Sequence, residues 1–414
     1  MSAEIVNLGC RLNIREGEAM RALVPDDSDL IIVNSCAVTD AAVRTTRRTI
    51  RRLKRERPGA RIAVTGCAAQ IDPEGIRAMP EVARVVGNVE KLNPSAWARE
   101  AADGDIVSDI MRVRQVAPHL VPAAAPETTT RAFVEIQNGC DHRCTFCIIP
   151  YGRGNARSVP AGRVVEEVRA LVAMGVREIV LTGVDLTSYG PDLPGAPTLG
   201  GLVARVLKLV PDLPRLRLSS LDVAEVDEEL ADLIAHETRL MPHLHLSLQA
   251  GDDMILTRMK RRHRRADAID LVRKMKAARP EIAIGADIIA GFPTETDAMF
   301  ENSVRLIDEC DIVFAHVFPY SARAGTPAAR MPQVPMAVRK ARAARLREAA
   351  AARRDRWYTG LVGKYQRVLV EGDGTSGHTD AFAPVMLARA AARGEIVDAA
   401  VTGLRDGKLT ARMD

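Results

Sequence analysis

The stretch Ala132-Phe-Val-Glu-Ile-Gln-Asn-Gly-Cys140-Asp-His-Arg-Cys144-Thr-Phe-Cys147 decides how this chain is read. Its apolar run predicts a strand, and the cysteines follow at once, so three thiols share one loop at the C-terminal end of that strand. Thiolates are the soft ligands that iron-sulfur clusters need, and three of them leave one iron of a four-iron cluster open to a small molecule. A structural zinc site wants a fourth protein ligand. His142 lies inside the short loop, so zinc is the lesser reading.

From this loop the pattern runs outward in both directions. Six apolar runs, at 132–136, 178–182, 215–219, 243–248, 282–289 and 312–318, alternate with helix-length segments and predict a partial, barrel-like parallel sheet. Its chemistry belongs at the C-terminal ends of the strands. Upstream, runs at 4–8, 29–34, 61–65 and 83–86 alternate with helical patterns and predict a Rossmann-like parallel α/β domain. In it, a helix over 40–56 turns Val43, Ile50 and Leu53 to one face and its arginines to the other. The pattern weakens between 94 and 130 and becomes linker-like at 117–126. An Ala- and Arg-rich helix over 336–356 precedes short strands at 364–371, 396–401 and 408–412, the pattern of a small β-barrel. A chain of 414 residues exceeds the roughly 250–300 residues that one core serves. The expected division is 1–105, a linker at 106–128, 129–356, and 357–414.

With 27% charged and 47% hydrophobic residues the composition is globular. The net charge of +5 is modest, but positive charge bunches at 44–57 and 258–265. Such runs can track a phosphate backbone, or they can be solvated helix faces. The sequence opens without a basic flank and apolar core of a secretory signal, and no apolar run reaches membrane-spanning length, so a cytoplasmic protein without membrane contact is expected. Seven cysteines in a reducing compartment point to thiolate ligation rather than disulfides. Cys10, Cys36 and Cys67 each follow a predicted strand, which brings them to one edge of a parallel sheet. A single such cysteine is more often core; three at equivalent strand ends favour a second metal site.

The spacing of Cys140, Cys144 and Cys147 resembles the signature of the radical S-adenosylmethionine (SAM) superfamily. That resemblance implies a partial (βα)6 barrel whose cluster binds and reductively cleaves SAM. It also implies SAM-binding roles for Phe146, for Gly183 and Asp185 in Thr182-Gly-Val-Asp185, for Ser247 and Gln249, and for Ile288 and Gly291 in Ile288-Ile-Ala-Gly-Phe-Pro-Thr-Glu295. Gly9-Cys-Arg-Leu-Asn13, Asn34-Ser-Cys-Ala-Val-Thr39 and Thr65-Gly-Cys-Ala-Ala-Gln70, joined to that core, are similar to the methylthiotransferase family over almost the whole chain. The C-terminal segment resembles the RNA-binding TRAM module.

This second resemblance implies two 4Fe-4S clusters, one on each cysteine triad, and SAM both as methyl donor and as radical source. A sulfur donor and an electron donor come from outside the chain. Cys310 matches neither triad and reads as packing. Finer motifs, such as Leu218-Ser-Ser-Leu221 and His316-Val-Phe-Pro-Tyr-Ser321, resemble the bacterial branch acting on N6-threonylcarbamoyladenosine in the tRNA anticodon stem-loop. The other branches act on isopentenyl-adenosine in tRNA or on an aspartate of a ribosomal protein, and a non-enzymatic iron-sulfur carrier or RNA-binding protein is the alternative of a different class. Asn13, Asn34, Arg153, Arg157, Tyr320 and Arg323 are the substrate-facing candidates, the last four of them on loops at the reactive face, and a monomer is expected. The stretch Gly377-His-Thr-Asp-Ala-Phe-Ala-Pro-Val385 departs from the aromatic-bearing pattern of the module.

Overall fold

A computed structural model describes residues 3–25, 29–98, 105–116 and 130–413. Most of the expected linker, 117–128, and Thr129 after it lie outside the described residues. The N-terminal unit runs β1 (Glu4–Asn7), α1 (Arg11–Arg21), β2 (Leu30–Ser35), α2 (Asp40–Glu56), β3 (Arg61–Gly66), α3 (Cys67–Ile71), α4 (Pro73–Arg77) and β4 (Val82–Val85). All four strands are parallel, in the order β1-β2-β3-β4. The order is sequential, without the reversal of a doubly wound sheet. Both faces are covered: Ile31, Val33, Ile50, Leu53, Ile62 and Val64 pack on one side, and Ile5, Met20, Ile32, Ala63 and Trp97 on the other. Burial on both faces explains why β2 is apolar without alternation.

The central unit comprises β5 (Arg131–Glu135), β6 (Gln137–Asn138), α5 (Ile149–Arg153), β7 (Arg157–Ser158), α6 (Ala161–Ala173), β8 (Glu178–Thr182), α7 (Leu199–Leu209), β9 (Arg215–Leu218), β10 (Ser220–Leu221) and α8 (Glu228–His236). It continues through β11 (His243–Gln249), α9 (Asp253–Arg258), α10 (Arg265–Ala278), β12 (Ala283–Ala290), α11 (Asp297–Glu309), β13 (Ile312–Pro319) and α12 (Met336–Thr359). The six expected strands are parallel, but the ladder is split into β5-β8-β9 and β10-β11-β12-β13. At the split, the Ser219 N–H donates to the Leu181 carbonyl at 3.0 Å.

Strand residues alternate. Val134, Ile179, Leu181, Leu216, Leu244 and Leu246 face outward into one core under the helices. The alternate positions, Arg131, Glu178, Arg215, Arg217, His243, His245 and Asp287, face the barrel interior, which is therefore strongly charged. Cys310 caps α11 within the outer core, as the packing expectation requires.

The C-terminal strands β14 (Tyr365–Glu371), β15 (Ser376–Thr379), β16 (Pro384–Leu387), β17 (Ile396–Arg405) and β18 (Lys408–Arg412) close a barrel in the order β14-β15-β16-β18-β17. β15 and β16 have too little alternation to stand out in the sequence. They flank the atypical stretch at 377–385, and its loop plugs the N-terminal end of the central barrel. Arg215 donates to the Thr379 carbonyl at 2.8 Å and Arg217 to the Asp380 carbonyl at 3.2 Å. Phe382 lies beneath the guanidinium groups of Arg217 and Arg131, at 4.8 and 5.1 Å, and stacks on His378 at 4.7 Å. Docking accounts for the departure from the module's pattern.

Candidate active site

Each α/β unit carries one thiol triad on loops that follow its strands. In the N-terminal sheet, register pairs Asn7 with Asn34 and Asn34 with Thr65, so the loops after β1, β2 and β3 start level. Cys10 caps α1, Cys36 follows β2, and Cys67 opens α3. Gly9 has φ +98°, and a Cβ there would stand 2.6 Å from Cys36 Cβ. A glycine is needed for the first loop to approach the second. Asn13 Nδ2 donates to the Leu8 and Ser35 carbonyls at 2.6 and 3.0 Å, and Asn34 Nδ2 returns a bond to the Asn13 carbonyl at 2.9 Å.

Behind this triad lies a buried polar network. Arg153, on α5 of the central unit, donates to Cys67 Sγ at 3.2 Å, to Asn13 Oδ1 at 2.5 Å and to both carboxylate oxygens of Glu16. Lys91 Nζ reaches Glu16 at 2.6 Å and Asn88 at 2.7 Å. Burial would raise the Glu16 carboxyl, but Arg153 and Lys91 hold it low. Burial pushes the Cys36 thiol up to about 11, with Cys67 and Cys10 adding to the shift. A thiol placed as Cys36 is ionises more readily with a cation beside it, which suits metal ligation.

In the central unit, Gly139 makes the turn into the second triad. Its φ is +74°, and a Cβ would stand 1.9 Å from the Asn155 carbonyl oxygen. Cys140 N–H donates to the Gly154 carbonyl and Cys147 N–H to the Cys144 carbonyl, each at 3.0 Å. Burial lifts the Cys147 thiol to about 11, with Cys144 adding to it, and burial and Asp185 raise Cys140. Arg261 points at Cys144 Sγ from 3.7 Å. All seven cysteines are free.

Around this loop, Gln137 Oε1 accepts from Val184 N–H at 3.1 Å and Asp185 N–H at 2.9 Å. It stands 3.0 Å from where a Cβ on Gly183 would lie, so Gly183 and Asp185 are set in place by a residue that the sequence reading missed. Asp185 accepts from His142 at 2.9 Å, and the hydrogen bonds that His142 donates to Asp185 and Glu225 lift it to about 10. Phe146 packs edge-on against Phe292. The Ser247 carbonyl receives Arg261 at 2.8 Å, and Gln249 takes φ +68° beside the register shift of β11. Gly291, at φ +72°, donates to Glu295 at 2.9 Å. Ile288 points the other way, fully buried in the outer core.

Residues 134–307 match the Radical SAM superfamily, and residues 2–87 match Uncharacterized protein family UPF0004. A curated relative from Rickettsia prowazekii, "Threonylcarbamoyladenosine tRNA methylthiotransferase MtaB", is 50% identical over 98% of this chain and 96% of its own length. The chain belongs to the radical SAM methylthiotransferases. A Novosphingobium aromaticivorans relative, "tRNA-2-methylthio-N(6)-dimethylallyladenosine synthase", is 38% identical over 89% of this chain and 86% of its own length. Among solved structures, the radical SAM methyltransferase TsrM from Kitasatospora setae aligns over 76% of this chain and 66% of its own, with TM-score 0.55 and 18% identity, a likeness of fold. As a radical SAM enzyme, this methylthiotransferase uses a 4Fe-4S cluster and SAM.

The expected substrate-facing residues are largely enclosed. Asn13, Asn34, Arg153, Arg157 and Tyr320 are buried. Arg153 and Arg157, expected on loops, belong to α5 and β7; Arg157 braces the Arg153 and Asn155 carbonyls. Tyr320 packs on Phe292, and Arg323 pairs with Asp40 at the start of α2. Arg153, through Asn13, Glu16 and Cys67, and Arg323, through Asp40, join the two units of the methylthiotransferase. The basic segments differ from each other. Arg44, Arg48, Arg51 and Arg55 line the exposed side of α2, opposite buried Thr46, Ile50 and Leu53. In the second segment Lys260, Arg262 and Arg264 are exposed, whereas Arg258 and Arg261 turn inward to Thr294 and Asp222. No helix among the described residues is long and apolar enough to cross a membrane.

Proposed function

We propose that this enzyme converts N6-threonylcarbamoyladenosine at position 37 of tRNA, next to the anticodon, to its 2-methylthio derivative. The observation that carries the reading is Arg153, on the helix that follows the central triad, bonded to Cys67 of the N-terminal triad in a chain 50% identical to a relative bearing that substrate in its name. Cys140, Cys144 and Cys147 would hold the radical SAM 4Fe-4S cluster and Cys10, Cys36 and Cys67 a second one; with SAM these groups would furnish the radical and the methylthio unit, sulfur and electrons being replenished from external donors. A radical is required because adenine C2 carries no proton that a histidine or carboxylate could remove.

The chain's own residues bind and orient. Asp185, held by Gln137, is placed for the SAM amino group, Phe146 and Gly291 for the adenine, and Ser247 and Gln249 for the ribose and carboxylate. Arg153 fixes Cys67 and Asn13 from the opposite unit, coupling the position of the sulfur-bearing site to the radical-generating one. The exposed arginines of α2, with Lys260, Arg262 and Arg264, suit the anticodon stem-loop backbone, and the C-terminal barrel adds contacts. The working division is an auxiliary-cluster unit at 1–105, a linker at 106–128, a radical SAM unit at 129–356 and a TRAM-like unit at 357–414. Sulfur and electron donors are external.

Nucleoside analysis of tRNA from a strain lacking the gene tests the reading: 2-methylthio-N6-threonylcarbamoyladenosine disappears and returns on complementation. Loss of the 2-methylthio dimethylallyl nucleoside instead refutes the substrate assignment. Replacing Cys10, Cys36 or Cys67 by alanine abolishes methylthiolation while 5'-deoxyadenosine release from SAM persists. Replacing Cys140, Cys144 or Cys147 abolishes both.

A further inference from the structure

The charged interior of the central barrel holds an imbalance that the reaction centre does not use. Its cations are almost all neutralised. Arg131, Arg215 and Arg217 converge on Glu178, at 2.9, 3.1 and 3.0 Å, and extend to Glu371, Asp380 and the Asp380 carbonyl of the C-terminal barrel. Asp287 is bracketed by His245 Nε2 at 3.1 Å and His316 Nδ1 at 3.3 Å. Arg11 is different. It begins α1, immediately after Cys10, and crosses from the N-terminal unit to stand over the Phe133 ring at 5.8 Å. Among the described residues its guanidinium makes no hydrogen bond or ion pair. The charged groups that face it are Arg131, Arg217, Glu178 and Asp287, and both carboxylates already have nearer partners.

A half-buried cation beside two other arginines and without its own anion is poorly solvated, and a carboxylate arriving there would gain a charge-assisted hydrogen bond. The threonylcarbamoyl group carries such a carboxylate. Resting on the substrate reading above, we infer that Arg11 binds the carboxylate of the N6 substituent inside the barrel and is a specificity-determining residue of this enzyme. The uncharged dimethylallyl group leaves Arg11 without a partner, and a site built to bond a polar substrate group rejects the analogue that lacks it. The position next to Cys10 gives the selection its place in the reaction: the residue that reads the substituent is covalently adjacent to a residue assigned to the sulfur-bearing site.

The test compares anticodon stem-loop RNAs bearing threonylcarbamoyladenosine, its carboxyl methyl ester, or dimethylallyladenosine. Binding is followed by fluorescence anisotropy and turnover by mass spectrometry, on the reconstituted full chain. The wild-type enzyme should prefer the free acid over the ester by roughly 10- to 100-fold, the span of one charge-assisted hydrogen bond. Arg11→Gln should bring that ratio towards unity, and Arg11→Lys should retain part of it. Equal binding of acid and ester by the wild type overturns the inference without recourse to any variant. A loss in Arg11→Gln that falls equally on acid and ester also overturns it, because a merely structural role moves both. Turnover of dimethylallyl RNA with none of threonylcarbamoyl RNA refutes the substrate reading itself, and the inference with it.

Discussion

Replacing Arg153 by methionine should uncouple the two halves of the active site. The guanidinium is 3% exposed and bonds to Glu16, Asn13 and Cys67 at once. Its loss leaves Glu16, itself 2% exposed, with Lys91 as the remaining cation at 2.6 Å. Breaking a buried ion pair by removing one partner costs about 3–5 kcal/mol. Lys91 still neutralises part of the carboxylate, so the lower end, about 3 kcal/mol, is expected. For a unit of about 100 residues this lowers the melting temperature by roughly 10–20 °C. Hydrogen exchange measured by mass spectrometry should show α1 opening in the variant while β11–β13 stay protected. After anaerobic reconstitution the variant should release 5'-deoxyadenosine from SAM and transfer little methylthio group. In the Glu16→Gln/Arg153→Met double variant the fully buried Lys91 loses its carboxylate and is stranded instead, so only the Glu16→Gln/Lys91→Met/Arg153→Met triple variant, with no charge left in the network, should recover much of the stability. An unchanged melting profile with unchanged exchange in α1, or a triple variant as unstable as the sum of its single variants, would refute the reasoning.

Gly9→Ala should prevent assembly of the N-terminal site, because the new Cβ meets Cys36 Cβ at 2.6 Å in a left-handed conformation; iron analysis should fall towards one cluster per chain, and full iron content refutes the expectation. Burial lifts the Glu295 carboxyl to about 7 although Arg342 stands 2.8 Å away. The folded state thus keeps that proton longer than the unfolded chain does. The stability this proton contributes is full below pH of about 4.5 and lost as pH rises through about 7, a change of about 3 kcal/mol, and Glu295→Gln should remove that slope in melts recorded across the range. Phe382→Ala removes the ring under Arg217 and Arg131 and should cost about 2–3 kcal/mol, seen as earlier proteolysis between α12 and the C-terminal barrel; identical digestion kinetics count against the plug.

Sequence and tertiary structure divided the work along a physical line, the range of the interactions concerned. Cys140, Cys144 and Cys147 are within one loop, so strand, turn and ligand set were legible together. The apolar periodicities likewise placed the parallel strands of both α/β units, because burial against helices acts residue by residue along a strand. Cys10, Cys36 and Cys67 could be put at strand ends but not beside one another. The parallel register of β1, β2 and β3 did that, with Gly9 allowing the approach. Arg153 reads in sequence as a loop cation facing substrate, and its burial depends on Glu16 and Cys67, contributed by another unit. The runs at 215–219 and 243–248 read in sequence as apolar strands, and only the folded sheet turns Arg215, Arg217, His243 and His245 to a polar inner face. Which of its charges are neutralised, and that Arg11 is left without an anion, was decided only when the N-terminal helix and the C-terminal loop closed on the barrel, since a charge's partner is set by distance in space rather than along the chain.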